Sequence, residues 1–194
     1  MKIYAEFTSL PNPQEPAKAI WPDSCWLLSD RPLYIPDFAS EFVAITALAG
    51  KIGRLGKCIA SRFAHRYVAQ WTVAFIILPK HVFDCICNGE SFDAADLCFD
   101  NAVVLGEWNQ EPPEALRLAV LRPGRESLYT DFNSDTAPLY SALVRLSTRN
   151  TLKMGDVILA PVIASQSGLE EGLTLSVSDT ADSSATPMLS TRFK

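Results

Sequence analysis

The chain has 194 residues, an apolar fraction of 48% and a formal net charge of −5, which are typical of one mildly acidic globular domain spanning residues 1–194. No run of lysine and arginine suggests a nucleic-acid partner, and the longest apolar run, residues 73–79, is too short for a membrane span. The first residues lack the apolar segment of a secretion signal. Five cysteines favour reduced, mostly buried thiols in a cytoplasmic protein.

The first half of the chain predicts two long buried strands after an irregular start. Residues 1–24 are rich in proline, which predicts an irregular lead-in, and short strands are expected from Trp26 onward. Residues 42–52 and 71–78 are apolar, partly β-branched and free of proline. Such runs are typical of strands that are buried on both faces.

Short helices are expected around the second of these strands. Residues 61–70 place Phe63, Tyr67 and Val68 at helical spacing, and Ser61 is a suitable N-cap. Residues 80–87 predict a second short helix, because the Asn-Gly pair that follows is a common C-terminal signal.

The second half of the chain alternates strands with one longer helix. A Pro-Gly pair at residues 123–124 lies between two strand patterns and predicts a hairpin. A helix that begins at Asp135 carries three leucines on one face. The other predicted elements are strands at residues 116–121, 125–130, 156–162 and 173–177, a polar loop at residues 178–187 and a short terminal strand. The expected fold class is mostly β with a few short helices.

Three segments in this order resemble the fumarylacetoacetate hydrolase family. They are residues 34–38 (Tyr-Ile-Pro-Asp-Phe), residues 51–57 (Lys-Ile-Gly-Arg-Leu-Gly-Lys) and residues 151–158 (Thr-Leu-Lys-Met-Gly-Asp-Val-Ile). The resemblance implies a mixed β-roll like the C-terminal domain of that family, with strands wrapped around a central site. It also implies that the protein pairs as a homodimer.

The same resemblance implies a metal site whose ligands this chain lacks. In the family, a Glu-x-Glu pair and an Asp on two neighbouring strands hold a divalent metal. The matching positions here are Ile45, Ala47 and Ile76. Mg²⁺ and Mn²⁺ require hard oxygen ligands, so no metal or other cofactor is expected at these positions.

The positions that the resemblance assigns to catalysis have also changed. Phe7 stands where the family has a histidine base, and Trp21 and Leu97 stand where it has lysines. The family's Thr-Gly-Thr-Pro turn, which lines the substrate pocket, is replaced by Ala-Pro-Val-Ile at residues 160–163. No catalytic, cofactor-binding or metal-binding residue is therefore predicted.

Two other sites can be considered from the residues alone. His81, Cys85 and Cys87 could hold a soft metal only if the segment is a strand, since in a helix the two cysteines point about 200° apart. Neither a Gly-x-Ser-x-Gly motif nor a phosphate-binding glycine loop occurs. Nucleophilic catalysis and nucleotide binding by these motifs are thus not expected.

The leading functional hypothesis is a pseudoenzyme that acts as a homodimer or as a partner subunit of an active relative. One alternative is an active hydrolase, isomerase or decarboxylase that uses a relocated site on a 1,3-diketone or 2-oxo acid. Another is a module that binds a small apolar ligand in a remodelled pocket lined by Ile45, Ile76 and Leu97.

Overall fold

The computed structural model describes residues 1–7, 17–180 and 186–194. These residues form mostly β structure with two short α-helices, α1 (Lys80–Asn88) and α2 (Ala137–Arg149), so the predicted fold class is confirmed. The strands are β1 (Lys2–Phe7), β2 (Ala17–Pro22), β3 (Trp26–Leu28), β4 (Phe42–Ile52), β5 (Val68–Pro79), β6 (Val103–Leu105), β7 (Ala115–Leu121), β8 (Leu128–Asn133), β9 (Val157–Ser167), β10 (Thr174–Asp179) and β11 (Leu189–Arg192). Short 3₁₀ helices span Asp23–Cys25, Ser61–Arg66 and Ala94–Leu97.

The strands are arranged in two sheets. The larger is a seven-stranded mixed sheet with the order β2-β1-β9-β4-β5-β6-β3. Its parallel pairs are β1 with β9 and β3 with β6. The smaller is an antiparallel sheet with the order β11-β10-β7-β8. Strand β4 therefore lies at the centre of the larger sheet, between β9 and β5.

Alternate residues of β4 enter different cores, because side chains of a strand point to opposite faces in turn. Val43, Ile45 and Ala47 belong to a core that also contains residues of β1, β2, β5 and α1. On the other face, Phe42 and Ala44 pack against the four-stranded sheet, and the later residues of β4 pack against α2. Since both faces are covered, β4 and β5 are near-continuous apolar runs.

Several predicted elements are confirmed. Strand β4 has the predicted bounds, and β5 contains the predicted residues 71–78. Helix α1 ends at Asn88 and is capped by Gly89, whose φ of 71° is the left-handed conformation that glycine adopts without strain. The Pro-Gly pair separates β7 and β8, which form the predicted hairpin.

The predicted irregular lead-in over residues 1–24 is wrong where the structure describes it. Lys2–Phe7 and Ala17–Pro22 are antiparallel partners, and β1 is an internal strand between β2 and β9. The prolines that suggested irregularity fall mainly between these strands, in residues 8–16, which lie outside the described part of the chain. The predicted polar loop at residues 178–187 also lies partly outside the described residues, because 181–185 are not described. Its first two residues belong to β10, which extends to Asp179.

The helix predicted over residues 61–70 is shorter and of a different type. It is a 3₁₀ helix over Ser61–Arg66, preceded by Ala60 with no side-chain cap. Tyr67 N–H donates to the carbonyl of Ala64, and Val68 already pairs with Ile52 of β4. Pairing with the central strand therefore outweighs the helical spacing of the aromatic residues.

The cysteines are less buried than expected. All five are free thiols, but only Cys25 is buried, and Cys58 and Cys98 are exposed. Burial raises the pKa of the Cys25 thiol. None of the helices in the described residues is long and apolar enough to cross a membrane.

Asp156 connects the starts of β1 and β9. Its buried carboxylate accepts a hydrogen bond from the backbone N–H of Lys2 at 2.9 Å and another from that of Lys153 at 2.9 Å. The Gly-Asp pair at residues 155–156, which is part of the third family-like segment, thus holds a turn. Each oxygen of the Asp156 carboxylate already accepts a hydrogen bond from a backbone N–H group.

Candidate functional site

The structure brings the sequence-predicted site positions together in one buried core. They come from β1, β2, β4, β5 and the 3₁₀ helix over Ala94–Leu97. The six residues that share this core are Phe7, Trp21, Ile45, Ala47, Ile76 and Leu97. The resemblance therefore identified positions that converge in space, although they are spread over some ninety residues of sequence.

The three positions that match the family's metal ligands lie on two paired strands. Ile45 of β4 is the direct cross-strand partner of Ile76 of β5, and Ala47 is the partner of Ala74. Ile45 is 1% exposed, and Ala47 and Ile76 are 0% exposed. Ile45 and Ile76 are therefore buried side by side, in the two strands that the sequence predicts to be buried on both faces.

The two positions that match the family's lysines also meet. The indole Nε1–H of Trp21 donates to the backbone carbonyl of Leu97 at 2.8 Å, in a buried hydrogen bond. Phe7, at the position of the histidine base, is fully buried in the same core. Because its one polar atom is satisfied, the Trp21 ring fills this space without an unpaired donor.

The segment at the position of the family's pocket-lining turn is part of β9. Pro161 lies opposite Ala47 and Ser165 lies opposite Ile45, so four residue steps of β9 cover two steps of β4. This bulge is next to the metal-ligand positions, where bulges commonly redirect side chains in enzymes. Ala160 is buried against the α2 side of the sheet, and the side chain of Ile163 lies outside the described part.

All six positions are occupied by buried apolar side chains. Four of them are 0% exposed, and the other two, Ile45 and Leu97, are 1% and 4% exposed. The residues present do not fit a divalent cation, because no carboxylate replaces the three family ligands. Within the described ranges, no three His, Cys, Asp or Glu side chains are grouped as metal ligands.

A second family segment packs at the edge of this region. Phe38, from residues 34–38, contacts the rings of Phe42 and Phe99 edge-to-face, with centroid distances of 5.3 and 5.2 Å. Phe99 borders both the site core and the core beneath the small sheet. The family-like segment at residues 34–38 is therefore anchored at the border between the two cores.

The possible soft-metal site lies on a helix. His81, Cys85 and Cys87 are all residues of α1, so the two thiols point in different directions. His81 Nε2 lies 3.0 Å from Asp96 Oδ2, and Cys85 Sγ lies 3.9 Å from Glu90 Oε2. Burial raises the pKa of the Cys87 thiol, which opposes formation of the metal-binding thiolate.

One charged cluster was not predicted from the sequence. Glu6 is 1% exposed, and its carboxylate accepts a hydrogen bond from Arg145 Nε of α2 at 2.7 Å. Lys18 Nζ of β2 lies 3.7 Å from the other carboxylate oxygen. Both cations border a cleft of about 400 Å³ that also contains Arg149. The only sequence signal is an acidic residue within an otherwise apolar strand, and its partners are distant along the chain.

Comparison with known proteins connects this fold to one family. No family model matches the chain, and no curated protein is significantly similar to it in sequence. Solved structures do match over nearly the whole chain. One is a protein from Yersinia pestis CO92 assigned to the fumarylacetoacetate hydrolase family, with a TM-score of 0.77 and 17% identity, covering 100% of this chain and 92% of that one.

Two enzymes are similar to the same extent. Fumarylpyruvate hydrolase from Pseudomonas aeruginosa, solved with Mn²⁺ and pyruvate, has a TM-score of 0.74 and 15% identity over 100% of this chain and 89% of its own. A 5-carboxymethyl-2-hydroxymuconate delta-isomerase from Mycobacterium smegmatis has a TM-score of 0.74 and 19% identity over 99% and 76%. The resemblance inferred from the sequence is thus confirmed in the fold, and this chain has the fold of the fumarylacetoacetate hydrolase family.

Proposed function

We propose that this chain is a non-catalytic, cytoplasmic protein with the fumarylacetoacetate hydrolase fold, acting as a homodimer or as the partner subunit of an active relative. The observation that carries the proposal is the apolar core at the site positions. Six residues from five elements form this apolar core, at the positions that the family resemblance assigns to the metal ligands and catalytic groups. A structural neighbour, fumarylpyruvate hydrolase from Pseudomonas aeruginosa, was solved with Mn²⁺ and pyruvate.

The physical argument concerns charge and solvation. A divalent cation gives up bound water only when anionic ligands compensate for the loss. At Ile45, Ala47 and Ile76 the chain offers hydrocarbon, and at Phe7, Trp21 and Leu97 it offers no acid or base. Proton transfer requires a titratable group within hydrogen-bond reach of the substrate. Because this centre offers neither metal ligands nor a group that transfers protons, we infer that the protein acts through its surface.

The first prediction is that the purified protein does not bind Mg²⁺ or Mn²⁺ in the micromolar range. Isothermal titration calorimetry is the measurement, with the Pseudomonas aeruginosa fumarylpyruvate hydrolase as a positive control. A clear, stoichiometric isotherm would favour the alternative of an active enzyme with a relocated site. Mutation of acidic clusters would then identify that site.

The second prediction is self-association. Light scattering of the purified chain should give a mass near twice 21.3 kDa, because large apolar side chains such as Leu128 and Tyr129 are more than half exposed. A mass of one chain at high micromolar concentration would exclude the homodimer and leave the partner-subunit form of the proposal.

A further inference from the structure

The last strand of the small sheet, β8, has an outer edge that no other strand of the described residues pairs with. It is the terminal strand in the order β11-β10-β7-β8 and pairs with β7 without a bulge. Its sequence, Leu-Tyr-Thr-Asp-Phe-Asn, contains no lysine or proline. Protein sheets commonly protect their edges with lysine, proline, a bulge or a covering segment.

The direction of its backbone groups follows from one hydrogen bond. Ser134 N–H donates to the carbonyl of Glu114 at 3.0 Å, beside the end of β7. Since successive residues of a strand point their backbone groups to opposite sides, residues 128, 130 and 132 bond to β7. The N–H and C=O groups of Tyr129, Asp131 and Asn133 therefore face the open edge.

All side chains of β8 except the half-buried Phe132 are exposed to solvent. Leu128 is 55% and Tyr129 is 62% exposed. Leu128 is paired with the core residue Val120 and Phe132 with the core residue Leu116, so Leu128 and Phe132 share the core-facing side of the sheet. Asp131 is the one charged residue of the strand. Its carboxylate takes two hydrogen bonds from Arg117, at 2.6 and 2.8 Å, which lower its pKa.

We infer that β8 pairs antiparallel with β8 of a second copy of this chain, centred on Thr130. The inference rests on the homodimer form of the proposed function and specifies its surface. When the two-fold axis is perpendicular to the sheet, the two residues of each pair have side chains on the same face. The axis must therefore pass between two copies of the same residue, and that residue is the centre of the ladder. Two choices of centre, Thr130 and Asp131, each allow five residues of β8 from one chain to pair with five from the other.

Charge and packing select the Thr130 centre. Centring on Asp131 would place two carboxylates directly opposite each other, which is unfavourable. Centring on Thr130 places Leu128 opposite Phe132 of the partner subunit, so the exposed Leu128 and the half-buried Phe132 each gain an apolar partner. It also places Tyr129 opposite Asp131 of the partner subunit, and both have free backbone groups. The result is an eight-stranded sheet that is continuous across the dimer.

The ladder gives Thr130 a distinctive position on the axis. Its backbone bonds to β7, so it would face Thr130 of the partner subunit as a non-hydrogen-bonded pair, with Cα atoms about 4.5 Å apart. This separation is within the range that a disulfide can bridge. A cysteine at residue 130 should therefore cross-link two chains, whereas a cysteine at residue 129 would point to the opposite face and have Asp131 opposite it.

The test uses two substitutions of this exposed residue in the full chain. Thr130→Lys places two ammonium groups face to face on the axis and should raise the dimer dissociation constant at least about tenfold in sedimentation equilibrium. Circular dichroism would verify that the variant is folded. Thr130→Cys, with Cys58 and Cys98 replaced by serine, should form a covalent dimer under mild oxidation, and Tyr129→Cys in the same background should not.

The outcomes separate this inference from the proposed function. A dimeric wild type whose Thr130→Lys variant remains dimeric, and whose Thr130→Cys variant gives no more cross-linking than Tyr129→Cys, would overturn the β8 pairing but not the homodimer. A monomeric wild type at high micromolar concentration would overturn both.

Discussion

Replacing Ile76 by alanine is expected to lower the free energy of unfolding by about 2–5 kcal/mol, the range found for large-to-small changes in rigid cores. Ile76 is fully buried in the centre of β5 and faces Ile45 across the ladder. Removing three of its carbon atoms loses their transfer free energy and leaves a cavity, because the central strands are fixed by neighbours on both sides. Urea denaturation monitored by tryptophan fluorescence is the measurement.

Ile20→Ala is the matched control for this experiment. The same side chain is removed from β2, where Ile20 is 48% exposed, so the loss should stay below about 1 kcal/mol. If Ile76→Ala costs no more than Ile20→Ala, then Ile76 lines an open pocket. That result would favour the hypothesis of a module for a small apolar ligand.

The sequence predicts the centre of the fold better than its beginning. Strand β4 was predicted with the observed bounds because a run of buried residues on both faces has a distinctive composition. Strand β1 was missed although it is equally buried, since its six residues are few and a proline-rich segment follows them. Its place in the sheet depends on pairing with β9, which is some 150 residues away along the chain.

The site positions could be predicted only through the resemblance to a family. Nothing in the composition or spacing of Phe7, Trp21 and Leu97 indicates that they meet, and Trp21 donates a hydrogen bond across 76 positions of sequence. The charged cluster around Glu6 shows a second limit of prediction from sequence. Glu6 directly precedes Phe7, a position that the resemblance identifies, but its partner Arg145 lies 139 positions away. Long-range pairs of this kind leave no local pattern.

The charged counterpart of the Ile76 experiment is the triple variant Ile45→Glu, Ala47→Glu, Ile76→Asp, which restores the family's carboxylates. Without metal it is expected to be unfolded at neutral pH. Each unpaired buried carboxylate costs several kcal/mol, and three together exceed much of the total stability of a typical domain, about 5–15 kcal/mol. Circular dichroism against pH is the measurement.

The dependence on pH has a definite sign. Burial and mutual repulsion would raise the pKa values of the three carboxyls above those in the unfolded chain. The folded state would then bind more protons than the unfolded state, so its stability should rise as the pH falls. The variant Ile45→Gln, Ala47→Gln, Ile76→Asn is the control, since it has similar shape without charge and should not show this rise.

Millimolar Mg²⁺ or Mn²⁺ could restore the fold of the triple variant by pairing the carboxylates, but it is not expected to restore turnover of an acylpyruvate. Metal ligands need aligned supporting groups, and catalysis also needs a group that takes and delivers the proton. Phe7, Trp21 and Leu97 still fill those positions with apolar side chains. Metal-dependent turnover by this variant would contradict the argument, because it would require a general base at a residue outside the six site positions.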